Sequence, residues 1–591
     1  MSILTYILGW PLLAALALVF VPRNYRVIIR AVAVLATFVS MLLAVKMFCQ
    51  FVTGHAGYQF EQQIPWVPSL GISYHVGVDG INVGLILMGA IVAFAAACCS
   101  FEIQSREKEF YILLLVMTGG ILGAFASLDL FFFYFLHELA LVPTFIMIGV
   151  WGRGERKNYA TFQITLYLSV GALIALLGLI ALYIQCGAKT FDIPELMEYV
   201  HGRYIPDGGL TDEHPIAAGA QNIIFPLLLF GFGILVSLWP FHSWAPLGYS
   251  SAPTPTAMLH AGVLKKFGLY GLIRIALPLL PQAAQSWMQI LAWLCLGNIL
   301  YVGWVAMRQR NLNLLIGNSS VAHMGFVFLG IASLNLIGVT GAVIIMIAHG
   351  FLAALSFALS GYIYRQTGTL EIKELGGLAR KLPFIGTALM MAALAGCGLP
   401  GFANFVGEVT VFFGAWKVFP LVTGLALWGA LMIGALYMLR AMRNVLHGPL
   451  PEKWAGIPDA SNVWRKLPYA LLLASLLLFG CFPRLLTEKI TPDMEKIVKM
   501  GTTKVGEIAN LQVTNGYDVR PHPGPLPQER ENHSPSIGKS GGGDLQYGSR
   551  DNESGQRVSP LPGGEGRGEG ERVVAPQNSQ SLLTSAATEP K

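Results

Sequence analysis

Long apolar blocks constrain this chain more than any other feature. A helix needs about 20 predominantly apolar residues to cross a bilayer. With no water in the hydrocarbon region, every backbone N–H and C=O must also be satisfied within the spanning structure. Blocks of this kind lie near residues 2–21, 28–51, 80–100, 109–127, 129–151, 160–186 and 222–243. Seven more follow near 254–277, 284–307, 313–333, 337–363, 383–415, 418–440 and 466–483. The expected fold is an all-α polytopic membrane protein with about fourteen spans. Composition agrees: 12% of the 591 residues are charged and 54% hydrophobic, against about 25% charged in a soluble domain. A soluble enzyme, a nucleic-acid-binding protein and a disulfide scaffold are excluded.

The first block lacks a basic leader and a small-residue cleavage site, so it reads as a retained helix. Orientation follows from Lys and Arg in the short loops. With the N-terminus outside, the inner loops carry eighteen basic residues, among them Arg106, Arg153, Lys157, Arg308, Arg310 and Arg380. The outer loops carry four, Lys189, Arg203, Arg274 and Lys417. An even number of spans puts both termini outside.

The expected boundaries are 1–108 for spans one to three, 109–277 and 278–440 for two five-span units, and 441–484 for a loop and span fourteen. Residues 52–79 are expected to be a long loop and 485–511 a short surface helix. Residues 512–591 are rich in Gly, Pro, Ser, Glu and Arg, a composition expected to be disordered. In that tail PHPGPLPQERE and SPLPGGEGRGEGE resemble the arms of a translated intergenic repeat.

The seven cysteines lie in or beside apolar runs without CxxC or Cys/His spacing, and no Gly-rich nucleotide loop follows a strand-like run. Neither a metal nor a redox cofactor is therefore expected on this chain. Two regions are interrupted alike, LVSLWPFHSWAPLGYSSAPTPTAMLHAGVLKKFGLYGLIR and LMMAALAGCGLPGFANFVGEVTVFFGAW. Proline within a helix removes a hydrogen bond and clashes with the preceding turn. Paired broken helices point to inverted repeats around an ion path at mid-membrane, here spans 4–8 and 9–13, broken at 7/8 and 12.

The chemistry rests on ionisable groups inside apolar runs, where charge is costly and seldom kept without a role. They are Glu138 in LFFFYFLHELALVPTF, Lys265 and Lys266 in MLHAGVLKKFGLYG, His323 in SSVAHMGF, His349 in MIAHG and Glu408 in GFANFVGEV, with His242 and His260 weaker. Each has a plainer reading: helix-bridging glue for the glutamates, hydrogen-bonded core for the histidines, snorkelling or a local ion pair for Lys265. Adjacent helical residues point about 100° apart, so the two lysines are not expected to share a partner. Scattered over several helices at similar depth, the groups form neither a metal cluster nor a nucleophile–base pair. They suit the stepping stones of a proton relay.

HELALVPTFIMIGVWG, PFHSWAP, SAPTPTAMLHAGVLKKFGLYGLIR, SSVAHMGF, MIAHG and GLPGFANFVGE resemble, in order and over about residues 70–445, the M (chain 4) membrane subunits of proton-pumping NADH:quinone oxidoreductase, respiratory complex I. The resemblance implies proton translocation through Glu138, Lys266, His323, His349 and Glu408. It implies NADH, FMN, iron–sulfur clusters and quinone in partner subunits, L- and N-type antiporter-like neighbours, and a bacterial inner membrane. The alternatives are a cation/proton antiporter subunit, or a structural subunit with a silent half-channel. Departures from the family pattern are Leu235 where a seventh-helix lysine is usual, Ser237 for a proline, Leu247 and Tyr249 for an acidic residue and a histidine, and Asn311 and Asn313 for an Asp and a Lys. Without the lysine, either Lys265 substitutes for it beside Glu138 or this half-channel is altered.

Overall fold

The computed structural model describes residues 2–55, 57–201 and 215–502, all within one compact unit, Met1–Asp518. The tail 512–591, Arg203 and the end of the expected surface helix lie outside the described residues. Among the described residues, twelve helices are long and apolar enough to cross a membrane. The expected eighth and twelfth spans are the interrupted ones. Residues 254–279 run as helix Thr254–Gly262, a 3-10 turn Leu264–Lys266, a short helix Phe267–Gly271, a π turn Leu272–Ala276 and a last turn Leu277–Leu279. The twelfth is split into Pro383–Gly396 and Ala403–Trp416.

Span seven ends earlier than its apolar run suggests, at Val236. Ser237 then turns into the left-handed region, and a short helix, Trp244–Ser251, follows the break. The freed backbone groups find partners. Asn298 on span nine donates to the Ser237 carbonyl at 2.9 Å and accepts from the Trp239 N–H at 2.7 Å, while the Trp244 indole donates to the Ile234 carbonyl. That is the satisfaction a broken helix needs in lipid.

The two halves repeat a local device. Asp129 caps span five (Leu130–Trp151) by accepting from the Phe131 and Phe132 N–H groups, and Asn311 caps span ten (Leu312–Ala332) by accepting from Asn313 and Leu314. Such side-chain oxygens stabilise a helix start by about 1 kcal/mol. Beside each cap lies one antiparallel bridge. Leu130 N–H donates to Phe191 and Ile193 N–H to Leu128; Leu312 N–H donates to Leu370 and Ile372 N–H to Arg310. In the expected order of spans, five lie between the two caps, the spacing that two inverted five-span repeats would have.

Span eleven (Leu336–Thr367) is buried throughout and forms the central post. Spans one and six turn apolar side chains such as Phe20, Phe162 and Leu173 outward, as lipid contact demands. Arg30, an arginine within the apolar second span, is accommodated by Glu107 of span four at 2.8 Å.

Three expectations are corrected. The 52–79 segment is a twisted hairpin, β1 (Gln59–Val67) and β2 (Ile72–Val78), whose period-2 pattern was hidden by its polar outer strand. Residues Arg484–Thr502 form a helix that is only half a surface element, with Leu486, Ile490, Met494 and Ile497 buried. Arg274 is in no loop. It lies fully buried in the π turn of span eight, and both its terminal nitrogens reach the carboxylate of Asp79 at 2.6 Å.

Candidate functional site

Span eight is the source of the site. Regular winding stops after Gly262, and Val263 adopts a non-helical conformation. The following 3-10 turn carries Lys265 and Lys266 inward, both 1% exposed or less. A regular helix would have turned one of them away. Lys266 Nζ donates to the Ala261 carbonyl at 2.6 Å and lies 3.0 Å from His349 Nδ1 on span eleven. When Lys266 is an ammonium it brings only donors; that nitrogen of His349 then accepts and its proton sits on Nε2.

From His349 the row continues across the core. The rings of His349 and His323 are 5.5 Å apart. His323 Nδ1 meets the Ser319 carbonyl at 2.7 Å and its Nε2 meets Gly396 at 3.1 Å, in the break of span twelve. A neutral imidazole donates once; taking up a proton lets His323 donate to both carbonyls. The same Nε2 stands 3.8 Å from Glu408 Oε1, which has no hydrogen-bond partner. Glu408 and His323 line a cavity of ≈ 20 Å³ with Gly396, Cys397 and Tyr437, room for about one water. Gly398, at φ +69°, closes over the carboxylate: a Cβ there would lie 2.7 Å from Glu408 Oε2.

Lys266, His349, His323 and Glu408 thus form one row. Lys265 branches from it, 3.5 Å from Ser320 Oγ and 5.7 Å from the centre of the Tyr249 ring. It is buried, so it does not snorkel, and among the described residues it pairs with no acid. Glu138 stands apart, partly exposed, its carboxylate 3.7 Å from Nδ1 of buried His137. No ion pair joins Glu138 to Lys265 among the described residues, and Leu235 is packed in the apolar core. His260 is buried against Trp244 and Tyr249. His242 is only partly buried, edge-on to Tyr301, outside the row.

Sequence reasoning missed several participants. Ser319 carries the Tyr437 hydroxyl at 3.0 Å, and Asn298 and the Asp79–Arg274 pair hold the helix breaks and ends in place. Arg274 did leave a signal. An arginine in LYGLIRIALPLL needs a buried acid, and Asp79 in HVGVDGIN precedes span three. Among the described residues no group of three or more His, Cys, Asp or Glu is positioned to hold a metal ion.

Outside the membrane-spanning helices, His75 of β2 is clamped between Asp192, which contacts its Nδ1, and Glu61, 2.7 Å from its Nε2. Burial pulls its pKa down, but the hydrogen bonds and charges of the two carboxylates outweigh this and raise it to about 9.

Comparison with known proteins follows this geometry. The family described as NADH:quinone oxidoreductase/Mrp antiporter, TM, matches residues 127–434. NADH-quinone oxidoreductase subunit M of Rhodobacter capsulatus is 32% identical over 521 residues, 87% of this chain and 99% of that protein. A chain of respiratory complex I from Thermus thermophilus superposes with a TM-score of 0.75 at 28% identity, covering 85% of this chain and 100% of that one. A chain of the Mrp complex from Dietzia shares the fold, with a TM-score of 0.71 at 20% identity over 87% of this chain and 99% of its own length. This chain therefore belongs to the transmembrane family of NADH:quinone oxidoreductase and Mrp antiporter subunits, with subunit M as its like.

Proposed function

We propose that this chain is a proton-translocating membrane subunit of an NADH:quinone oxidoreductase, moving protons while electrons pass from NADH to quinone in other subunits. The observation that carries the reading is the buried row from Lys266 through His349 and His323 to Glu408. It joins span eight to the break of span twelve, and each member can hold or release a proton. In this reading FMN, the iron–sulfur clusters and the quinone belong to partner subunits, and L- and N-type subunits flank this chain. The host membrane is a bacterial inner membrane, with both termini outside. Residues 109–277 and 278–440 act as two related units, the first with Glu138, the second with Glu408.

Within the row, a proton arriving at Glu408 from the small cavity passes to His323, whose two carbonyl partners steady the imidazolium. Passage to His349 competes with the Lys266 ammonium for the same Nδ1. A proton on Lys266 therefore opposes one on His349, and the charge on one step gates the next.

A cation/proton antiporter subunit is the second reading, supported by the shared fold with an Mrp chain. A structural subunit that has lost pumping, with a silent half-channel, is the third, supported by Leu235. Quinone-reductase activity and proton uptake, measured together on the purified complex in vesicles, separate the three. The proposal expects proton movement that requires electron donor and quinone. Sodium-coupled exchange without electron transfer supports the antiporter, and electron transfer unchanged by Glu408→Gln with an unchanged proton yield supports the structural subunit.

A further inference from the structure

Among the buried polar atoms of the described residues that have no hydrogen-bond partner are five from the first half of the protein: Glu138 Oε1, His137 Nδ1, Tyr249 Oη, Thr256 Oγ1 and His260 Nδ1. Native proteins leave only a few such groups per 100 residues. These five come from three neighbouring segments, span five, the short helix Trp244–Ser251 and the first turns of span eight. His137, Tyr249, Thr256 and His260 are each at most 2% exposed.

Their order in space runs inward. His137 Nδ1 is 3.7 Å from the Glu138 carboxylate, and its ring lies flat on Phe267, 3.9 Å between centres, next in sequence to the paired lysines. Thr256 and His260 are four residues apart on one helix and so share a face. The His260 ring packs 5.4 Å from that of Tyr249, and the Lys265 nitrogen lies 5.7 Å from the centre of the same Tyr249 ring.

We propose that His137, Thr256, His260 and Tyr249 line a hydrated proton path that joins Glu138 to Lys265 and so feeds the central row from the side of span five. Two imidazoles supply sites that take up and release a proton. The two hydroxyls each donate and accept, which passes a proton along without net charge. Water completing these bonds resolves the five unpartnered atoms at once, since a buried water bonds two to four polar groups. The balance is simple: one proton enters at Glu138, one leaves the Lys265 ammonium for the Ser320 hydroxyl, which gives up its own proton toward the central row as it accepts, and no covalent bond to carbon or change of oxidation state is involved. The path rests on the proton-translocation reading of this chain and extends it to residues outside the central row.

The test uses the intact complex in vesicles, with proton uptake and quinone reduction followed together. His260→Leu and Thr256→Val are expected to lower proton uptake per electron as far as Glu138→Gln does, with quinone reduction in detergent kept within about twofold. Should His260→Leu fail to assemble, His260→Asn keeps a hydrogen-bonding amide that takes up no proton near neutrality, and the same loss is expected. Normal uptake in His260→Asn and Thr256→Val, beside a loss in Glu408→Gln, overturns the path while leaving the proposed function standing. Normal uptake in Glu408→Gln as well overturns the function itself. A shift in the pH profile of uptake for His260→Asn, absent in Thr256→Val, is the further mark of an imidazole that carries protons, and its absence also overturns the role of His260.

Discussion

Lys266 Nζ lies 3.0 Å from His349 Nδ1, with both residues at most 1% exposed. Two cations at that distance repel strongly in a medium of low polarity, so the pair holds at most one proton comfortably. The arrangement makes occupancy of one site depend on the other, and in the proposed relay this coupling would set the order of the steps.

The Asp79–Arg274 pair anchors the C-terminal end of span eight. Arg274 is fully buried and makes two 2.6 Å contacts with Asp79, with Tyr270 and Tyr58 completing its bonds. Removing one partner of a buried ion pair costs about 3–5 kcal/mol, while replacing both can be neutral. Asp79→Asn is expected to lower assembly yield and thermal midpoint sharply. Asp79→Leu combined with Arg274→Met is expected to recover much of the loss, and failure of any recovery would assign the pair a role beyond stability.

The His75 clamp predicts a pH dependence with a definite sign. Its pKa is raised from 6.5 to about 9 in the folded protein. Its contribution is therefore fully present below pH about 6.5 and is lost as pH rises through about 9. The difference in thermal midpoint between the unmodified protein and His75→Gln should be largest at pH 6 and close to zero at pH 10. A difference that grows with pH would contradict the clamp.

Gly398 combines a left-handed backbone with contact to Glu408. Gly398→Ala adds about 1 kcal/mol or more of backbone strain and pushes the carboxylate from the His323 side of the cavity. Proton uptake should fall while quinone reduction in detergent stays near normal. Equal activity on both measures would show that Glu408 tolerates displacement.

Lys265 is buried with no acidic partner among the described residues, an arrangement that costs stability. Lys265→Met should leave the thermal midpoint unchanged or raised while lowering proton uptake about as much as Glu138→Gln. Leu235→Lys in that background tests whether an amine from span seven can serve instead. Full uptake in the single variant would reduce Lys265 to a packing residue.

The spans were legible because about 20 apolar residues have one stable form in lipid, and the breaks because Pro240 and the Gly398–Gly401 run leave recognisable gaps. The candidates Lys266, His349, His323 and Glu408 were legible as charge in apolar runs, but their order was not. It depends on the irregular turn after Gly262, which no periodicity announces. The hairpin escaped because its outer strand is polar, and Arg274 was misread because a single charge near the end of an apolar block looks like a loop. His137 was overlooked beside Glu138, although adjacent positions on a helix face different ways and the structure buries the histidine, not the glutamate.

The central claim is that Glu408, at the end of the row, passes protons during electron transfer. The most direct test is the number of protons moved per electron in vesicles carrying the complex with Glu408→Gln, a change that keeps size and removes the proton. A positioned acid or base contributes about 10²–10⁴-fold to the rate of a proton step. Passage through this chain should therefore fall by about 10²-fold or more, and the proton-to-electron ratio with it, in a complex that still assembles and reduces quinone. An unchanged ratio in that assembled complex would contradict the account.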